Sequence, residues 1–242
     1  MDSRLSRFVC LASAALMAWC TGCFAQTEAP QSAYPAMAPL PGYLIANRDE
    51  EIALARSAAP ASVSDTAEVL VLGAHGYQTA VKGTNGFVCF VERSWAASFS
   101  DPDFWNPKVR GPNCFNPIAV RTELPQYLKR TEWVLGGATR QQLIDRTKAA
   151  VASHEFQDPE KGALSFMLSK GGYLDDAIGG PGLPHLMFFL PHGQTADWAA
   201  GLKGSPILGQ DASAIESTVL FIPVRSWSDG SPAPPPVATH AM

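Results

Sequence analysis

The chain has 242 residues, enough for one sizeable domain or two small ones. Hydrophobic residues make up 46% and charged residues 17%, the ordinary balance of a globular protein. A formal charge of −4 with no Lys/Arg run excludes a nucleic-acid surface built on basic patches.

The first segment has the form of an export signal. Arg4 and Arg7 make a short basic region, Phe8 to Trp19 is apolar, and Cys23-Phe24-Ala25 has the small-x-small pattern of a cleavage site. The apolar run is shorter than the ~20 residues a membrane span needs. Residues 1–25 are therefore expected to be a signal peptide, and the mature protein to be exported, either periplasmic or secreted. A second reading takes Cys20-Thr21-Gly22-Cys23 as a lipobox with a lipid anchor on Cys23. Cys20 stands where an aliphatic residue is expected, which favours cleavage.

Residues 26–46 are rich in Pro and Ala and predict an extended linker. Asn47 with Glu50 has the spacing of a helix cap, opening a helix to about Ala59. Asp49, Glu50 and Glu51 suit the positive end of that helix as surface charge. Runs at 68–72, 77–82 and 87–92 predict three strands in a meander, with Gly83-Thr84-Asn85-Gly86 as a hairpin loop. Val88 and Phe90 fall on one face of the third strand, Phe87, Cys89 and Val91 on the other. A strand apolar on both sides belongs inside a sheet.

From Ala96 to Pro117 no period appears, and Pro102, Pro107, Pro112 and Pro117 mark a chain of turns. Phe99, Phe104, Trp105 and Phe115 predict a packed loop rather than a disordered one. Cys89 and Cys114 are the only cysteines beyond the leader. In an exported chain such a pair is expected to form a disulfide, here anchoring the aromatic loop. A nucleophilic Cys89 is disfavoured because its apolar strand raises a thiol pKa.

Leu124, Tyr127, Leu128, Thr131, Val134 and Leu135 form one helical stripe that ends at Gly136-Gly137. Trp133 falls on the opposite face. Thr139 with Gln142 caps a following helix that runs to about His154. Strands are expected at 163–169, 185–190 and 218–224, with a glycine-rich loop at 171–184 and a short helix at 195–202. Pro223 marks an edge or bulge in the last strand. Residues 228–242 predict a disordered tail. The order gives an α+β fold, a mainly antiparallel sheet with helices packed on one face, in a single domain at 47–227.

Few residues carry a chemical signal. His75, His185 and His192 lie in loops or at strand ends and lack metal-ligand spacing, so a metal or general-base site on them is the alternative reading. His154 begins HEFQD, a near miss to a zinc-protease motif, and is better placed as a helix-end residue. Tyr173, Asp175 and Asp176 are candidates for a cation or sugar, or for ordinary loop polarity. No nucleophile elbow, phosphate loop, paired CxxC or dinucleotide fingerprint is present, and no cofactor is expected.

The strings ALARSAAPASVS (53–64), GTNGFVCFVER (83–93), NCF (113–115), LSFMLS (164–169) and PHLMFFLP (184–191) together form a pattern. It resembles that of a group of exported bacterial proteins of uncharacterised activity, marked by GTNGFxCxV and PHxMFxxP. The resemblance implies one continuous domain and a bacterial source, and carries no catalytic residues over.

The expected function is that of a non-enzymatic domain binding a small ligand or an envelope partner at the tied loop, through Trp95 and Trp105 together with Trp133 of the following helix. A hydrolase or metal-dependent enzyme using the histidines, and a structural envelope protein, are the alternatives.

Overall fold

Alternation between two apolar faces explains how the sheet is covered. The structure, a computed structural model, describes residues 33–211 and 213–235, all within one compact unit, Ser32–Met242. The expected signal peptide at 1–25, the alternative lipid anchor at Cys23 and residues 236–242 of the expected tail lie outside the described residues.

The strands are β1 (Glu68–Gly73), β2 (Gly76–Val81), β3 (Val88–Glu92), β4 (Gly111–Phe115), β5 (Leu164–Met167), β6 (His185–Leu190), β7 (Leu208–Gln210) and β8 (Thr218–Pro223). The helices are α1 (Arg48–Arg56), α2 (Ala61–Ser64), α3 (Pro117–Thr122), α4 (Leu124–Leu135) and α5 (Arg140–Ala152). The strands form one sheet in the order β2-β1-β3-β4-β5-β6-β8-β7. The α+β class with a mainly antiparallel sheet therefore stands.

The helices, however, lie on both faces rather than one. Cys89, Val91, Val69 and Cys114 turn to the face covered by Ala55, Ala58 and Ala59 of α1 and the turn after it. Leu70, Val88, Phe90 and Phe115 turn to the other face, where Ala119 of α3 and Leu124 of α4 close over them. The both-sided apolar pattern of β3 is the cause: neither row of side chains is left to water.

The first three strands are not a meander. β1 pairs antiparallel with β2 but parallel with β3, through Glu68↔Val88 and Val69↔Cys89. The GTNG segment is thus a crossover and not a hairpin loop. A Cβ on Gly83 would stand 2.1 Å from the backbone nitrogen of Glu68, so only glycine lets the chain pass there. Asn85 accepts from the Phe87 amide and donates to the Val63 carbonyl, while Gly86 takes a φ of +79°.

Two prolines that argue against interior strands are accommodated the same way. Pro112 lies in β4 opposite Val91, but β5 pairs β4 only at Cys114 and Phe115. Pro223 of β8 lies beyond the three residues that β7 pairs. Each missing N–H falls where the neighbouring strand has ended.

The described parts of the two segments expected to be free at the domain's ends, 33–46 and 228–235, are laid on the body. Tyr43, in the supposed linker, is fully buried, and its hydroxyl accepts from the Ala38 amide and donates to the Trp105 carbonyl. Tyr34 donates to Asp176, which also accepts from Tyr173 and Asn106 and pairs with Lys108 at 2.6 Å. At the other end Ser228 donates to Leu168 and Ala233 to Arg225. Among the described residues no helix is long and apolar enough to cross a membrane.

Cys89 and Cys114 are directly opposed on β3 and β4 and form a disulfide. The bridge closes the two strands from which the aromatic loop springs, rather than tying the loop to a distant element. Closing 25 residues restricts the unfolded chain by about 3 kcal/mol. Replacing both cysteines by alanine is expected to lower unfolding free energy by about that amount in denaturant titration. Two alkylatable thiols in the unreduced, folded protein would contradict the bridge.

Candidate functional site

A proline and a buried carboxylate begin the site. Pro125 has no N–H to continue the α3 hydrogen-bond ladder, so the helix bends and restarts at Leu124. Glu123 sits between the two helices, its backbone N–H donating to the Ala119 carbonyl, and is only 2% exposed. Tyr127 and Arg130 come after it at i+4 and i+7, on one helical stripe. Facing that stripe are Ala96 and Ser98 of the loop after β3, Glu216 and Ser217 before β8, and Phe189 and Val219 of the sheet. Together they line a cavity of about 80 Å³, room for several waters or one small ligand head.

Its charges are held unequally. Arg130 donates to the Trp95, Ala96 and Ala97 carbonyls, stands 3.7 Å from Glu216, and lies 4.2 Å from the Phe99 ring centroid. Burial pulls its guanidinium below the usual value. Glu216 accepts from the Phe99 amide and from Ser98 and Ser213. These two groups are satisfied.

Glu123 is not. Its Oε2 accepts from Gln126 at 3.3 Å and Ser217 at 3.2 Å, but its Oε1 is buried with no partner. Burial pushes its carboxyl up to about 7; the Ser217 hydrogen bond opposes this and Asp158 adds to it. Tyr127, also raised by burial, and Phe189 supply the aromatic surface of the cavity.

The tryptophans lie elsewhere. Trp95 is 1% exposed and donates its indole N–H to Thr131; Trp105 is 4% exposed and packs edge-on to Phe104. Trp133 packs beside Phe156, under the Arg146 guanidinium. Trp95 and Trp105 belong to one buried cluster with Tyr43, Phe99 and Leu143, against which the partly buried Trp133 of α4 packs, so the three present no common open face.

The histidines do not converge. His75 sits in the β1–β2 turn, and β1 is four strand spacings from β6, about 19 Å. His185 opens β6 and His192 lies past its far end. His185 is half-buried against the Leu183 carbonyl, and burial holds its imidazole below the usual value. His154 takes a φ of 59° where α5 ends, a backbone role. Among the described residues no group of His, Cys, Asp and Glu is arranged to hold a metal ion. Tyr173 and Asp176 are engaged in the knot that holds Tyr34, and Asp175 accepts from the Ile178 amide.

Glu123, Arg130 and Glu216 escape a motif search because they match no catalytic string. The available signal was a carboxylate and a guanidinium seven residues apart on the stripe that otherwise reads Leu124, Tyr127, Leu128, Thr131 and Val134.

Comparisons with family models, curated proteins and solved structures return no match. The resemblance carried by GTNGFVCFV and PHLMFFLP therefore stands on those residues alone.

The Glu123 carboxyl binds its proton more tightly in the folded chain than in the unfolded one. Its contribution is complete below about 4.5 and is lost as pH rises through about 7. From about pH 5 to about pH 8 the wild type is expected to lose stability, and Glu123→Gln to remove about 3 kcal/mol of that loss. Glu92, pushed to about 7 by burial against the opposing Asn113 hydrogen bond, supplies a residual slope. An unchanged slope in the variant would show that Glu123 is not protonated near neutrality.

Proposed function

We propose that this chain is an exported, non-enzymatic domain that binds a small polar ligand in the cavity between α4, the loop after β3 and β8. One observation carries the reading: Glu123, a buried carboxylate held by only two long hydrogen bonds, from Gln126 and Ser217, lines a cavity of about 80 Å³. Leaving a buried acceptor unsatisfied costs about 1–3 kcal/mol, and more when it is charged. A donor or positive charge brought into the cavity beside the Glu123 carboxylate offsets part of that cost only when bound.

The surrounding architecture supports the same reading. The loop after β3 is held by the Trp95 and Trp105 core, so its Ala96 and Ser98 form a fixed wall. Ligand contact thus falls to the small residues of the aromatic loop, while its rings hold the loop in shape. The Cys89–Cys114 disulfide and the basic-then-apolar leader support export. The enzyme alternative loses ground because its histidines stand at separate places along the sheet. A purely structural envelope role requires no such cavity.

Acetamide, a neutral molecule with both a donor and an acceptor, is a suitable probe of the cavity. Titrated into the nitrogen-15-labelled domain, it is expected to shift the amides of Ala96, Ser98, Gln126 and Ser217 while leaving the Tyr34–Asp176 knot unmoved. Shifts scattered over the surface would count against a site here.

A further inference from the structure

Resting on that reading, we infer that the ligand's buried head is a small alkylammonium cation, with Glu123 as its counter-ion and Tyr127 and Phe189 as its aromatic walls. The burial of the Glu123 carboxylate is the first reason. Glu123 lines the cavity, is 2% exposed and accepts only two long hydrogen bonds, from Gln126 and Ser217, so its charge is weakly compensated. An ammonium group carries donors and no acceptor, so it also adds no unmet acceptor of its own to the site.

Charge is the second reason. The ionised lining holds two carboxylates, Glu123 and Glu216, against the single guanidinium of Arg130. Arg130 is already engaged by three carbonyls and by Glu216. An incoming cation neutralises the lining, whereas an incoming anion must displace Glu216 from the Phe99 amide and two serines. Aromatic faces also favour a cation over a neutral donor.

Binding should then depend on pH through Glu123. The groups facing it are Gln126, Tyr127 and Arg130 on its own helix, Glu216 and Ser217 ahead of β8, and Asp158 beyond α5. Of these, Ser217 opposes and Asp158 reinforces the upward pull of burial on its carboxyl.

The test compares methylammonium, acetate and acetamide by amide shifts in the wild type and in Glu123→Gln. A head this small binds at best in about the millimolar range. Methylammonium is expected to bind about tenfold more tightly at about pH 8 than at about pH 6, as Glu123 ionises. Glu123→Gln should weaken it about tenfold or more at the higher pH. Should that variant fail to fold, the wild-type pH profile still decides. Binding of acetate or acetamide in place of methylammonium, or methylammonium binding that ignores pH, would overturn the cation and leave the cavity as a site. No cavity shift with any probe would overturn both the cation and the binding reading.

Discussion

The guanidinium of Arg93 is the point at which the separate parts of this fold are joined. It is fully buried at the end of β3, where Nε donates to the Tyr43 carbonyl, Nη1 to the Val91 carbonyl and Nη2 to Glu51 at 2.8 Å. Glu51 also accepts from the Leu72 amide. One ion pair therefore fixes the N-terminal segment, α1, β1 and β3 to each other. Burying two charges carries a desolvation cost of several kcal/mol per ion, offset here because the carboxylate and guanidinium meet several backbone groups as well as each other.

The aromatic loop depends on that anchorage from its first turn. Ser94–Ala96 makes a single 3-10 turn that places Trp95 against Tyr43, ring centroids 4.9 Å apart, and points its N–H at Thr131 of α4. The carbonyls of Trp95, Ala96 and Ala97 then receive Arg130. A chain of contacts thus runs from the buried pair to the wall of the cavity. Without it, Ala96 and Ser98 would have no fixed relation to Glu123.

Much of this was legible in the sequence, and the misses have definite causes. The helices at 124–135 and 140–152 announce themselves by stripe and cap, and the Thr139–Gln142 capping box is present. β4 is hidden because it starts Gly-Pro; its proline is tolerated only where β5 does not reach. The parallel pairing of β1 and β3 is hidden because Asn-Gly signals a hairpin, while the close passage at Gly83 is a tertiary requirement. Asp49, Glu50 and Glu51 read alike as surface charge, but consecutive helical residues point in different directions, and Glu51 is the one turned inward. The candidate site is half legible: aromatic content and turn residues mark the loop after β3, but Trp95 and Trp105 face its own core. The partner of Glu51 lies 42 residues away and that of Arg130 lies 86 away, separations that no local pattern encodes.

The dependence on the buried pair is most directly tested by a double-mutant cycle on Glu51→Gln and Arg93→Met, read by denaturant unfolding. Each single change leaves a charge or its hydrogen-bonding partners stranded, and is expected to cost about 3–5 kcal/mol. The double variant should cost well below the sum, because the stranded charge is gone. Single losses under about 1 kcal/mol that simply add would contradict the account and place the anchorage of the loop elsewhere.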